Sequence, residues 1–216
     1  LRKSFWALLL PPLVLGGMYF GVFTATEAAG VGAIAALFIA TVVYRNFGWN
    51  DLLASAKETT QLTAMLFMIL ASAAIFGHVL TVMELPSELV ASVTKAGVEP
   101  IAFILLTMAV IFILGMFLET IAIILVTTPI ILPVLESLSI DPVWYGILLM
   151  INLELALITP PVGMNLFVIK GIANAPMEDI IYGILPYVGL MLIGLIIVLI
   201  FPQLALWLPS TMGYGL

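Results

Sequence analysis

Thr159-Pro160-Pro161-Val162-Gly163 interrupts an otherwise apolar run from Pro142 to Lys170. Two adjacent prolines remove two backbone donors and crowd the preceding turn, and Ile158 and Thr159 are pushed away from helical geometry. A helix is expected to stop near Leu157 and to restart at Pro160 or Pro161, because proline suits a first helical position. A second interruption is expected at Gly115-Met116-Phe117-Leu118-Glu119-Thr120, inside the apolar run Pro100–Leu135. At each break, the carbonyls that end one half-helix carry partial negative charge and suit a small cation, while the amides that begin the next suit an anion. Thr120, Thr159 and Asn165 add side-chain oxygens, and Gly115 and Gly163 let the backbone approach closely. Hard oxygen donors with no soft ligand fit Na+. The plain alternative is that proline and glycine merely kink ordinary helices.

Glu119 and Glu154 are the acids deepest in apolar sequence. An intramembrane carboxyl is a functional candidate as an ion ligand, a proton carrier or a neutral hydrogen-bond donor. Alternatively, Glu154 caps or braces a neighbouring helix. His78 reads as an interface residue near the end of its span, and Glu27 as a helix-start acid behind Thr24. The methionines read as packing. Ala28-Ala29-Gly30 and Gly32-Ala33 suggest close helix contacts.

The elements that carry these residues follow from composition. The chain is 64% hydrophobic and 8% charged over 216 residues, against about 25% charged residues in a soluble domain. So few polar groups cannot cover a water-soluble surface. The apolar runs are continuous, which excludes the alternating pattern of an outer-membrane barrel. Six Lys and Arg against 12 Asp and Glu leave no basic surface for nucleic acid. With no Cys and one His, thiolate and histidine metal sites are excluded. The fold class is an all-α polytopic membrane protein.

Spans are expected at Phe5–Phe23, kinked and interrupted by Pro11-Pro12 and Gly16-Gly17, at Thr26–Tyr44, at Thr60–Val82 and at Ile180–Phe201. Arg45–Lys57 reads as a polar connection with Trp49 as an interface anchor and a short headgroup helix over Asp51–Glu58. Pro86–Ala96 reads as a surface helix. Pro100–Leu135 would be on the order of 54 Å long as one helix, too long for one crossing and too short for two. It fits a re-entrant hairpin of two helices of roughly 16 residues each, with two thin full spans as the other option. The tail Pro202–Leu216 is uncharged. This layout places Arg2, Lys3, Arg45, Lys57 and Lys170 on one side and Lys95 on the other, with Glu84, Glu88, Glu99, Glu136 and Asp141. The first side is then cytoplasmic and the C-terminus lies outside. The chain begins at Leu1 without a signal peptide and reads as part of something longer.

Three stretches, LVLGGMYFGVFTATEAAGVGAIAAL, ILGMFLETIAIILVTTPIILPV and INLELALITPPVGMNLFVIKGIA, resemble the large membrane subunit of the tripartite ATP-independent periplasmic (TRAP) transporters in order and spacing. ITPPVGMNLFV is the most specific element and GMFLE the next. Thr24-Ala25-Thr26-Glu27 departs from the usual Thr-Pro-Thr-Glu. The resemblance covers the C-terminal of two inverted repeats, with the N-terminal half missing. It implies an elevator-type Na+ symporter of the bacterial inner membrane, multi-pass with a periplasmic C-terminus. Its cargo would be organic acids such as C4-dicarboxylates, sialic acids or 2-keto acids. Implied partners are a periplasmic substrate-binding protein, a small membrane subunit, the other half of the large subunit and membrane lipid. It further implies scaffold and arm helices over 1–97, a hairpin over 98–140, a broken helix over 141–172, and a last helix with its tail over 173–216. Na+ would sit between the two breaks, held by Gly115, Glu119, Thr120, Thr159 and Gly163. The substrate would meet Thr159, Pro160, Pro161 and Asn165.

Competing readings are a channel, a non-transporting scaffold subunit and an intramembrane enzyme. A channel calls for a repeated filter or charge ring, and nothing repeats that way. An enzyme is not expected, because His78 is alone and Asp51 and Asp141 fall in loops. A coupled transporter requires that cation and acid bind one mobile element and favour each other, which adjacent half-helix ends of opposite polarity allow.

Overall fold

The computed structural model describes residues 5–45, 47–173 and 175–213. Arg2 and Lys3, which entered the charge asymmetry, lie outside the described residues. Every regular element among the described residues is helical, as the all-α reading requires. The chain forms two compact units, Leu1–Leu66 and Phe67–Leu216.

In the first unit, α1 (Phe5–Leu8) and α2 (Leu10–Tyr19) are separated at Leu9, and Pro11 and Pro12 follow at once. The expected kink is therefore present where two N–H groups are missing. Helix α3 (Ala25–Phe38) runs on into a π-helical turn, Ile39–Val43. Its start is a capping box. The Thr24 N–H donates to Glu27 Oε2 at 2.8 Å, and Thr24 Oγ1 accepts from the Glu27 N–H at 3.4 Å. Glu27 is thus a helix-start acid. Ala28 is buried, and a Cβ on Gly32 would sit 3.3 Å from Val14, so small residues do mark the contact of α2 with α3.

Helix α4 (Trp49–Val82) corrects one expectation. It is one helix of 34 residues, about 51 Å long. Asp51–Glu58 forms its first turns instead of a separate headgroup helix. Nothing between Asp51 and Thr60 stops a helix: Leu, Ala, Lys and Glu favour it and neither Gly nor Pro intervenes. Its later turns belong to the second unit.

The second unit continues with α5 (Leu85–Ala96), α6 (Pro100–Gly115), α7 (Thr120–Ser137), α8 (Pro142–Leu157), α9 (Met164–Ala173), α10 (Met177–Ile200) and α11 (Gln203–Thr211). Helices are present over the residues expected for the surface helix and for the two arms of the hairpin. The broken helix does not restart at Pro160 or Pro161 but at Met164. Thr159 and Pro160 each precede a proline and are kept out of the helical region. Gly163 then has φ +51°, a left-handed conformation that no right-handed helix includes. Helix α11 adds order to the uncharged tail: its Ala205 is buried in the core that α8 anchors.

That core lies between α6, α7 and α8. It gathers Ile104 and Ile111 of α6, Ile123, Val134 and Leu135 of α7, and Leu148 and Leu153 of α8. The outer surfaces are apolar, with Phe20, Ile172 and Tyr182 among many exposed large side chains. Among the described residues four helical segments are long and apolar enough to cross a membrane: Ala25–Val43, Trp49–Val82, Thr120–Ser137 and Met177–Ile200. Apolar surface on this scale belongs against lipid. In lipid the helices gain little from hiding apolar area, so close packing and interhelical hydrogen bonds must hold α6, α7 and α8 together.

Candidate functional site

Helix α6 ends at Gly115 because the chain turns at Met116–Glu119. The N–H groups of Phe117 and Leu118 both return to the Leu114 carbonyl, at 3.0 and 2.9 Å. Helix α8 ends at Leu157 under the influence of the prolines. The Ile158 N–H donates to the Leu155 carbonyl at 3.3 Å, and the Thr159 N–H to that of Ala156 at 3.2 Å. Each end leaves its last carbonyls without helical donors.

The two ends are brought together. A Cβ placed on Gly115 would lie 2.8 Å from Ala156 Cβ and 3.4 Å from Leu153 Cδ2. Seven residues back on α6, the Met108 carbonyl accepts from Asn152 Nδ2 of α8 at 2.9 Å. These two contacts, in this order, make α6 and α8 run in the same direction. Their C-terminal, electronegative ends therefore converge.

The residues singled out in the sequence fall around this junction with different duties. Gly115 is buried in the contact itself. Thr120, the first residue of α7, has a buried Oγ1 with no hydrogen-bond partner. Glu119 is the N-cap of α7: its Oε2 accepts from the Ala122 N–H at 3.2 Å. The amide end of α7 is thus already served by a carboxylate of its own chain. Thr159 is half-buried, and its Oγ1 donates to the Leu155 carbonyl at 2.6 Å. The Thr159 carbonyl faces Gly163, where an added Cβ would sit 3.0 Å from it. Pro160 is half-buried, Pro161 is exposed, and the bond between them is cis. Asn165 is half-buried in the first turn of α9, a helix with no acidic residue at that end. No direct hydrogen bond joins Thr120, Thr159 and Asn165 among the described residues. Glu154 and His78 are exposed.

Among the described residues no three His, Asp or Glu side chains gather where they could hold a metal. A cation at this junction would meet peptide carbonyls and a hydroxyl. A cavity of about 340 Å³ between α7 and α8 lies away from the breaks, against Ile124, Ile131, Tyr145 and Leu149. Thr127 and Thr128 also line it, but their hydroxyls donate to the Ile123 and Ile124 carbonyls, so its wall is effectively apolar.

Asn152 and Ala156 escaped the sequence reading. An Asn in INLEL carries no break signal, and Ala156 is one small residue among many. A helical face shared by Asn152 and Ala156, one turn apart, was the available clue.

Residues 1–204 match the family described as "Tripartite ATP-independent periplasmic transporter, DctM component". The C4-dicarboxylate TRAP transporter large permease protein DctM of Pseudomonas aeruginosa is 42% identical over 212 residues, covering 98% of this chain and 50% of that protein. The sialic acid TRAP transporter large permease protein SiaM of Vibrio cholerae is 34% identical, covering 100% of this chain and 51% of that protein. The 2,3-diketo-L-gulonate TRAP transporter large permease protein YiaN of Escherichia coli is 36% identical, covering 92% and 47%. The chain spans about half the length of these curated relatives. A membrane chain whose two interrupted helices meet, and whose sequence matches the family almost end to end, belongs to the DctM component family of tripartite ATP-independent periplasmic transporters.

Proposed function

We propose that this chain supplies one half of the ion and substrate site in the membrane permease of a Na+-coupled secondary transporter for organic acids. The observation that carries the reading is the contact of Gly115 with Ala156, which sets two helix C-termini side by side, with the partnerless Thr120 hydroxyl at the start of the helix that follows α6. Two electronegative helix ends and a hydroxyl favour a small hard cation. Na+ meets the carbonyls around Gly115 and Thr159, with Thr120 and Gly163 beside them. Glu119 holds the start of α7 in place.

The acid belongs at the start of α9. The amide end of α7 is occupied by Glu119, whereas that of α9 has no acidic side chain and carries Asn165 in its first turn. Thr159, Pro160 and Pro161 connect the two sites, so a cation that stiffens the connection raises affinity for the anion. By linkage, the anion raises affinity for the cation by the same factor. The acids named for DctM, SiaM and YiaN differ in size and share a carboxylate-bearing character, which an amide end accommodates without selecting among them.

The rest of the machine follows as part of the same reading. The hairpin α6–α7 is re-entrant, with arms of 16 and 18 residues, or about 24 and 27 Å. Hairpin and broken helix move together as an elevator. A periplasmic binding protein delivers the acid, a small membrane subunit braces the permease in the inner membrane, and the C-terminus is periplasmic. The deciding experiment reconstitutes the complete permease with its binding protein in proteoliposomes. Uptake of a C4-dicarboxylate, a sialic acid or a 2-keto acid is expected with an inward Na+ gradient and not with K+. Uptake indifferent to Na+ defeats the proposal.

A further inference from the structure

Asn152 carries an amide into the buried core at 3% exposed, and unlike the Tyr145 hydroxyl on the same helix it has a hydrogen-bond partner. It sits in a regular seam. Ile104, Met108, Ile111 and Gly115 of α6 are buried at positions i, i+4, i+7 and i+11, and α8 meets them through Asn152, at the Met108 carbonyl, and through Leu153 and Ala156, at Gly115. Those intervals are those of a heptad core. An apolar seam in lipid has no directional term to resist sliding, because the tails are as apolar as the partner helix. A single Asn bonded across the seam resists sliding, since leaving the Met108 carbonyl leaves its amide unpaired until another carbonyl on the same face of α6 comes within reach, about one turn away. A slide of about half a turn, on the order of 2.7 Å, breaks that bond and is enough to take Gly115 off Ala156 and part the two helix ends.

We propose that Asn152 is a positioning residue: its bond to the Met108 carbonyl sets the register of α6 against α8 and thereby the separation of the two breaks that form the cation site. The register part stands on geometry alone, while the consequence for the ion rests on the Na+ reading above. Substitution by Leu keeps the seam filled and apolar but removes the register lock. Substitution by Gln keeps the amide.

The chain contains no Cys, so a Gly115→Cys/Leu153→Cys pair, with Ala156→Gly to clear the 2.8 Å contact that a side chain at Gly115 would make, reports the register directly in the complete permease. Efficient oxidative cross-linking is expected with Asn152 present, a yield at least threefold lower with Asn152→Leu, and recovery with Asn152→Gln. In permease without the cysteine pair, Asn152→Leu is expected to raise the half-saturating Na+ concentration at least fivefold, with a smaller change in maximal uptake. Equal cross-linking in all three backgrounds, or none with Asn152 present, overturns the register claim. A lowered yield with an unchanged half-saturation overturns its link to the ion. If the parent permease ignores Na+, the functional reading falls while the cross-link still decides the register. Should Asn152→Leu fail to accumulate, Asn152→Ala is judged by the same cross-link.

Discussion

The indole N–H of Trp144 donates to the carbonyl of Val198 at 2.9 Å. That carbonyl is the one whose helical donor would be residue 202, and residue 202 is proline, with no N–H to give. Trp144 on α8 thus completes the end of α10 and ties the two helices together. Leu195 and Leu199 pack against the same core. An unpaired carbonyl in an apolar setting is costly, so the pair is expected to contribute to assembly as well as to local order.

Trp144→Phe is therefore expected to destabilise the folded chain by about 1 kcal/mol, the usual size of an interhelical hydrogen bond in a membrane protein. Pro202→Ala supplies a backbone donor, so the cost of Trp144→Phe should shrink in that background. Thermal melting of the four proteins in detergent gives the coupling. Strictly additive losses would mean that Trp144 acts through ring packing alone.

Thr120→Val carries a sign that separates an ion ligand from a packing residue. The hydroxyl is buried and partnerless, and removing such a group without changing shape is neutral or stabilising by about 1 kcal/mol. Without Na+, the variant should melt at or above the parent temperature. With Na+, the parent should gain stability through binding while Thr120→Val gains little. Equal Na+-induced shifts in both proteins would take Thr120 out of the cation site.

Gly115→Ala pushes a methyl to within 2.8 Å of Ala156. Overpacking of this kind costs about 1–3 kcal/mol. Ala156→Gly should relieve it, so the double variant is expected to recover most of the melting temperature and the Na+ dependence that Gly115→Ala loses. Failure of the second substitution to compensate would show that the methyl strains something other than the junction.

Gly163 has φ +51°, and a side chain there meets both the Thr159 carbonyl and Leu166. The backbone penalty alone is about 1–2 kcal/mol, and the contacts add to it. A bulky replacement, Gly163→Leu, is expected to abolish Na+-coupled uptake while the protein still reaches the membrane. A bulky residue at Thr159 should do the same. Retained Na+-dependent uptake in proteoliposomes would remove the α8–α9 connection from the site.

The breaks at Gly115–Thr120 and Ile158–Gly163 were legible in the residues themselves, because a helix is closed by bonds reaching four residues and a proline or a left-handed glycine cancels them locally. Composition and the length of the apolar runs likewise determined a helical membrane protein, since a bilayer admits little else for continuous apolar segments. The restart at Met164 and the unbroken α4 were missed, although both are local. Proline at a first turn and a polar stretch before a span each permit two outcomes, and small differences between neighbouring residues choose between them. Tertiary structure alone decided that α6 and α8 run the same way, that Gly115 meets Ala156, that Asn152 reaches Met108 and that Trp144 completes the turn that Pro202 leaves open. Those contacts join residues about 40 to 55 positions apart, Gly115 and Ala156 through shape and the other two pairs through one directional bond each, and no four-residue pattern encodes which of several apolar faces will be opposite.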